Sequence, residues 1–158
     1  MENIDLNYIC TTIGNLAGMP IRIFQNSAQI FYRSVVYLPK DPITAFRDEI
    51  LAVDSHVSYF VTPYFHYYGI LNSGEYKIII GPTFQVKQSD QTLRELAFLC
   101  DVTKDETKEF LDGMHSILPM PLDSILQILC VVNYIVNNEK LTINDIAIHE
   151  KEQEKLTM

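Results

Sequence analysis

The sequence contains no tryptophan, and glycine, proline and cysteine are all scarce. Six glycines and seven prolines among 158 residues are too few for a fibrous chain or a disordered, low-complexity one. The three cysteines, Cys10, Cys100 and Cys130, are far apart, each lies in an apolar stretch, and no CxxC pair occurs. This spacing argues against a zinc knuckle or a disulfide framework and favours buried free thiols in a reducing compartment.

Positive charge is also scarce, since 12 Lys and Arg face 20 Asp and Glu and the formal net charge is -8. Binding to nucleic acid or to an anionic membrane depends on basic residues, so this balance argues against both. The N-terminus is acidic and has no basic leader. The longest apolar run, residues 125–136, is shorter than a bilayer requires. We therefore expect a cytoplasmic chain with no membrane partner.

What the sequence does contain is apolar material, 47% of its residues, which is enough for a sizeable core in one domain. Apolar residues at helical spacing predict helices at 6–17, capped by Asn3 or Asp5 and ended by Gly18, and at 43–53. Aromatic and β-branched residues are enriched between His56 and Phe84, where Glu75 and Lys77 are the only charges. Strands are predicted at 21–24, 29–36, 57–63, 66–72 and 75–81.

The remainder of the chain reads as helical. Ser89 can cap a helix that runs to Leu99, Thr103 and Glu106 form a capping box, and an apolar helix follows at 122–137. We therefore predict an α+β fold, in which an antiparallel sheet of about five strands is flanked by helices and followed by a helical segment. The predicted divisions are a sensor domain at 1–86, a helical dimerisation and signalling segment at 87–148, and a linker at 149–158.

Residues 93–112 have the apolar and turn spacing of a helix-turn-helix, with 104–112 as the recognition helix. That helix would carry two lysines against four acidic residues: Asp105, Glu106, Glu109 and Asp112. A recognition helix needs donors for base edges and a favourable phosphate field. The acidity favours an ordinary helical hairpin instead.

The aromatic sheet is the candidate ligand site, because tyrosine and histidine on the inner face of a curved sheet can line a small-molecule pocket. The candidate residues are Tyr59, Tyr64, His66, Tyr68 and Tyr76. The alternative is a packed core whose hydroxyl groups reach the surface or a backbone partner.

No catalytic or metal-binding pattern is present in the sequence. The four histidines lie at no metal-ligand spacing, and GxSxG, P-loop and GxGxxG motifs are absent. We expect no enzymatic activity, no cofactor and no metal.

The helix at 122–137 is apolar around most of its circumference, and such a helix is buried on more than one side. One side can meet the sheet and the other a second subunit, so we predict a homodimer. The predicted dimerisation residues are Ile125, Leu129, Val132 and Val136. Full burial within one chain is the alternative.

Segments between residues 79 and 134 also resemble a known family. The runs Ile79–Thr83, Gln88–Asp90, Leu93–Phe98 and Met120–Leu122, followed by Leu126–Cys130 and Asn133-Tyr134, resemble the N-terminal region of a Firmicute AraC-type transcription regulator. The group includes regulators of YSIRK-type surface antigens. The resemblance covers about 65 residues well and the first 80 only by pattern.

The resemblance implies a PAS- or GAF-like sensor domain, a small-molecule effector, and DNA binding only through a C-terminal domain that is absent from this chain. It supplies no ligand residues by motif. The expected function is ligand sensing and dimerisation for a transcription regulator. A protein–protein interaction module without a small-molecule ligand is the alternative.

Overall fold

Five antiparallel strands form a sheet in the order β2–β1–β5–β4–β3. They are β1 (Ile21–Gln25), β2 (Ala28–Arg33), β3 (Val57–Val61), β4 (Tyr67–Ser73) and β5 (Tyr76–Thr83). The computed structural model describes residues 5–146. The predicted linker at 149–158, the last residues of the predicted helical segment and the alternative cap Asn3 lie outside the described residues.

Helices flank the sheet and follow it along the chain. They are α1 (Leu6–Ala17), α2 (Arg47–Leu51), α3 (Asp90–Leu99), α4 (Thr107–Ser116) and α5 (Leu122–Asn137). Short 3-10 segments precede α2 at Pro42–Phe46 and α4 at Lys104–Glu106. The predicted α+β class, with a five-stranded antiparallel sheet, flanking helices and a following helical segment, is confirmed.

The helix ends follow from short-range hydrogen bonds. The Asp5 carboxylate accepts from the Tyr8 amide at 3.0 Å and begins α1, and Gly18, at a φ of 69°, ends it. Ser89 accepts from the Thr92 amide at 3.2 Å and begins α3. These local bonds explain why the predicted ends are close to the observed ones.

Two elements differ most from the prediction, whereas the other strand ends agree within two residues. The second strand ends at Arg33 rather than residue 36, because the Ser34 hydroxyl donates to the Val36 carbonyl at 2.7 Å and turns the chain. The helix predicted at 43–53 is instead a 3-10 segment followed by α2. Phe46, with φ -132° and ψ 19°, lies outside the helical region and separates the two.

Apolar side chains cover both faces of the sheet. On the face that α1 and α5 cover, here the α5 face, Ile21, Ile23, Tyr59, Leu71, Ile78 and Ile80 are buried in one cluster with side chains of α3, α4 and α5. On the opposite face, here the α2 face, Phe24, Tyr68, Ile70 and Ile79 pack with Ile43 and Ile50. The helical segment therefore shares its core with the sheet.

Gly69, in the middle of β4, allows α5 to lie close to the sheet. A Cβ atom at this position would lie 2.9 Å from Cδ2 of Leu129, closer than real Cβ contacts. The contact places α5 directly over β4.

A buried ion pair joins β1 to the loop before α2. Arg22 is fully buried, and its Nε and Nη2 atoms donate to the two carboxylate oxygens of Asp41 at 2.8 and 2.9 Å. The same guanidinium donates to the carbonyl oxygens of Gly81 at 3.0 Å and Ile79 at 3.4 Å. The Asp41 carboxylate also accepts from the Ile43 amide at 3.0 Å and begins the 3-10 segment. One charge pair thus holds β1, β5 and the cover of the α2 face together.

We predict that Asp41→Ala lowers the free energy of unfolding by about 3–5 kcal/mol, because it leaves the buried Arg22 charge without its partner. The double replacement Arg22→Met with Asp41→Leu should recover much of this loss, since no buried charge remains. Urea unfolding followed by circular dichroism measures both. Asp112→Ala, on the exposed side of α4, is the matched control. An Asp41→Ala chain as stable as this control would contradict the assignment.

Candidate functional site

The five predicted ligand residues do not line a common cavity in the described part of the chain. Tyr59 is buried on the α5 face, where its ring meets that of Tyr67 edge-on at 6.4 Å. Tyr68 is buried on the α2 face, next to Arg22. Tyr59 and Tyr68 therefore lie on opposite sides of the sheet. Tyr76 pairs with Ser73 at the end of β4 away from Tyr64.

His66 is 1% exposed and closes a tight turn between β3 and β4. The Thr62 hydroxyl accepts from the amides of Tyr64 and His66, both at 3.2 Å, and the imidazole ring lies 5.5 Å from that of Phe84. Within the described residues, Nε2 of His66 has no hydrogen-bond partner. Burial lowers the pKa of His66 to about 4, so its imidazole is neutral at neutral pH.

An open groove of about 510 Å³ lies between this turn and α3. Its walls are formed by Tyr64, Gln91, Arg94, Glu95, Phe98 and Leu99. The five α3 residues are spaced by three and four and so share one side of the helix. Tyr64 is the predicted ligand residue that the groove contains.

The sequence offered one indication of this groove. Phe98 and Leu99 are apolar, yet they share a helix side with the polar residues Gln91, Arg94 and Glu95. Phe98 is 81% exposed, whereas Leu93, Leu96 and Ala97 on the other side of α3 are buried. Because the described residues leave Phe98 largely uncovered, it marks a candidate contact.

Helices α3 and α4 pack against each other as a helical hairpin. Nε2 of His115, near the end of α4, lies 2.6 Å from Oδ1 of Asp90, at the start of α3. The two helices therefore run antiparallel along their length. The exposed side of α4 carries Glu109 and Asp112, which repel phosphate.

The predicted dimerisation residues are covered by the chain itself. Ile125, Leu129, Val132 and Val136 are each at most 3% exposed and belong to the cluster on the α5 face. The outer side of α5 instead carries Val131, Tyr134 and Ile135, exposed by 52, 48 and 43%. A second subunit would contact these three side chains.

The three cysteines are free thiols, and Cys10 and Cys100 are buried. Burial raises the pKa of Cys10 to about 12 and that of Cys100 to about 11, so both thiols stay protonated. Within residues 5–146, no group of three or more His, Cys, Asp or Glu side chains is placed to hold a metal ion.

The same range contains no helix with both the length and the hydrophobicity needed to cross a membrane.

Comparison with known proteins gives no match to a family model, to a curated protein or to a solved structure.

His66 generates a pH-dependence prediction. Its folded-state pKa of about 4 lies below the usual value, so the unfolded chain binds the proton more readily. Neutral, buried His66 therefore contributes to the free energy of unfolding above about pH 6.5, and this contribution is lost as the pH falls toward about 4. From about pH 7.5 to about pH 5, the loss should be on the order of 2 kcal/mol.

The measurement is urea unfolding of the wild-type chain and of His66→Phe at both pH values. The phenylalanine ring can pack against Phe84 but does not titrate, so this chain should show a smaller loss. Equal losses in the two chains would show that His66 does not carry the effect.

Proposed function

We propose that this chain is the ligand-sensing and dimerisation region of an AraC-type transcription regulator, with a PAS- or GAF-like sheet domain. The resemblance between residues 79 and 134 and the α+β fold support the assignment. In this proposal the chain is cytoplasmic and non-catalytic, and a separate C-terminal domain contacts DNA. The observation that carries the proposed dimerisation is the low charge of the outer surface of α1 and α5, where Asp123 is the one charged side chain of the two helices.

This surface is unusual for so acidic a chain. Helix α1 contains no charged residue, and α5 contains one, Asp123 in its first turn. The two helices contact each other on the α5 face. Val131, Tyr134 and Ile135 are exposed along one side of α5, and Tyr8 and Leu16 are exposed on α1.

Charge decides which partner fits this surface. Two copies of a chain with net charge -8 repel each other over most approaches. The repulsion is weakest where two sparsely charged surfaces meet, and burial of the exposed apolar side chains there favours association. A second copy of the chain is therefore the partner that we propose.

In this proposal, helix α5 transmits the signal. It packs on β4 at Gly69, and Nδ2 of Asn137 donates to the carbonyl of Asn72 at 3.4 Å where the helix ends. Nε2 of His56, before β3, lies 3.1 Å from the Glu139 carboxylate just beyond α5. A ligand that binds two arrangements of α5 with different affinity would shift their populations and act on whatever follows.

An interaction module without a small-molecule ligand is the second candidate. The observation that favours it is the filling of both sheet faces by the chain's own side chains. In that case the aromatic residues between β3 and β5 stabilise the sheet, and the chain acts through its surfaces alone.

We predict that the chain is a dimer and that Ile135→Glu converts it to a folded monomer, because the carboxylate would be buried between two apolar surfaces. Sedimentation velocity measures the state of association, and circular dichroism checks the fold. Val132→Glu is the matched control on the inner side of α5. It should destabilise the fold instead, because Val132 is buried in the chain's own core.

Two outcomes would contradict the proposed surface. One is a wild-type chain that stays monomeric up to millimolar concentration. The other is a dimer that survives Ile135→Glu unchanged.

A further inference from the structure

We propose that the groove between α3 and the β3–β4 turn binds a small zwitterion with an apolar side chain, such as an apolar amino acid. Arg94 would hold its carboxylate, Glu95 its ammonium group, and Phe98 and Leu99 its side chain. The assignment rests on the sensing half of the proposed function and names the ligand class for it.

The first observation is that the groove contains two free charges of opposite sign. In the described part of the chain, neither Arg94 nor Glu95 makes a hydrogen bond or an ion pair. They cannot readily pair with each other, because adjacent helix residues do not face one another. Both nevertheless line the same groove.

Within residues 5–146, Arg94 and Glu95 lack ion-pair partners because of the residues around them. Asp90 lies four residues before Arg94, a spacing at which opposite charges pair on a helix. Oδ1 of Asp90 is instead in contact with Nε2 of His115 on α4, at 2.6 Å. Glu95 has Gln91 and Leu99 at the same spacing on its two sides, and neither can neutralise it. The fold therefore leaves a guanidinium and a carboxylate available to a ligand.

The second observation is the apolar surface beside these charges. Phe98 and Leu99 lie one turn along α3 from Arg94 and Glu95 and are exposed by 81 and 46%. The Tyr64 ring forms the facing wall and is held 6.2 Å from the ring of Phe46. A ligand with two charged groups and an apolar side chain matches this arrangement group by group, whereas a simple anion would be repelled by Glu95.

The volume also fits a small molecule, since about 510 Å³ lies within the range of ligand pockets. The groove is open, so the ligand stays partly in water and binding should be weak. A charge-assisted hydrogen bond at such a site should change affinity about tenfold.

The test uses three probes on the full 158-residue chain: L-phenylalanine, N-acetyl-L-phenylalanine, which has no ammonium group, and L-phenylalaninamide, which has no carboxylate. Titrations followed by backbone amide chemical shifts give both the affinity and the position of binding. We expect shifts at residues 62–66 and in α3. Each blocked probe should bind about tenfold more weakly than L-phenylalanine.

Two replacements make the assignment specific. In Arg94→Gln, L-phenylalanine should bind as weakly as the amide, because the carboxylate has lost its partner. In Glu95→Gln, it should bind as weakly as the acetylated probe. Lys108→Gln and Glu109→Gln remove the same charges from the exposed side of α4 and should leave all three affinities unchanged.

Three results would overturn the proposal: equal affinity for the three probes, shifts confined to another part of the chain, or no binding of either L-phenylalanine or L-leucine up to their solubility. None of these bears on the dimer surface of α1 and α5. Equally, a monomeric chain would leave the groove measurement intact, so the two proposals fail separately.

Discussion

The buried charge of Arg22 is the constraint on which the arrangement of this domain depends. A guanidinium in the middle of a sheet, on a face packed with isoleucine and phenylalanine, is tolerated only with a carboxylate and further acceptors around it. Asp41 supplies the carboxylate from a loop 19 residues further along the chain. The carbonyl groups of Ile79 and Gly81 supply the remaining acceptors from β5. The hydrogen bonds of the Arg22 guanidinium thereby fix the relative positions of β1, β5 and the loop that contains Asp41.

The position of Asp41 has a consequence for the α2 face. The same carboxylate begins the 3-10 segment at Pro42–Phe46. As a result, Ile43 and Ile50 pack against the α2 face, where they contact the cluster of Phe24, Tyr68 and Ile79. The guanidinium lies 5.8 Å from the rings of both Tyr32 and Tyr68, which adds a cation–π contribution on each side. Tyr68 therefore has a structural partner on this face, and its place in the sheet is explained by Arg22 without a ligand.

Much of the fold was predictable from local patterns, because caps, turns and strand periodicity act over a few residues. Asp5, Gly18 and Ser89 mark helix ends by bonds to neighbours within four residues. What local patterns could not give is the pairing across the sheet. Tyr59 lies opposite Gly69 and Phe60 lies opposite Tyr68, so neighbouring aromatics alternate between two separate cores. The predicted ligand set mixed both cores because composition alone does not specify register.

A similar limit applies to α5, where apolar residues cover most of the circumference and periodicity alone selects the inner side only weakly. Gly69 decides it, since the close approach to Leu129 turns Ile125, Val132 and Val136 inward and leaves Val131, Tyr134 and Ile135 outside. A position on β4 thus determines which side of α5 is free to meet another chain. Within α5 itself, the exposed polar residues Asp123 and Gln127, four positions apart, give the same direction but mark only the first half of the helix.

The two proposed surfaces lie on different helices but share one core. Leu93 and Leu96, on the inner side of α3, belong to the same buried cluster as Ile125 and Leu129 of α5. Close-packed side chains cannot move independently of one another, so a shift of α3 also moves the side chains that it contacts in that cluster. A ligand on the outer side of α3 could therefore favour one packing of α5 without entering the sheet. This route needs no cavity between the strands, and for that reason the filled aromatic sheet is compatible with a sensing domain.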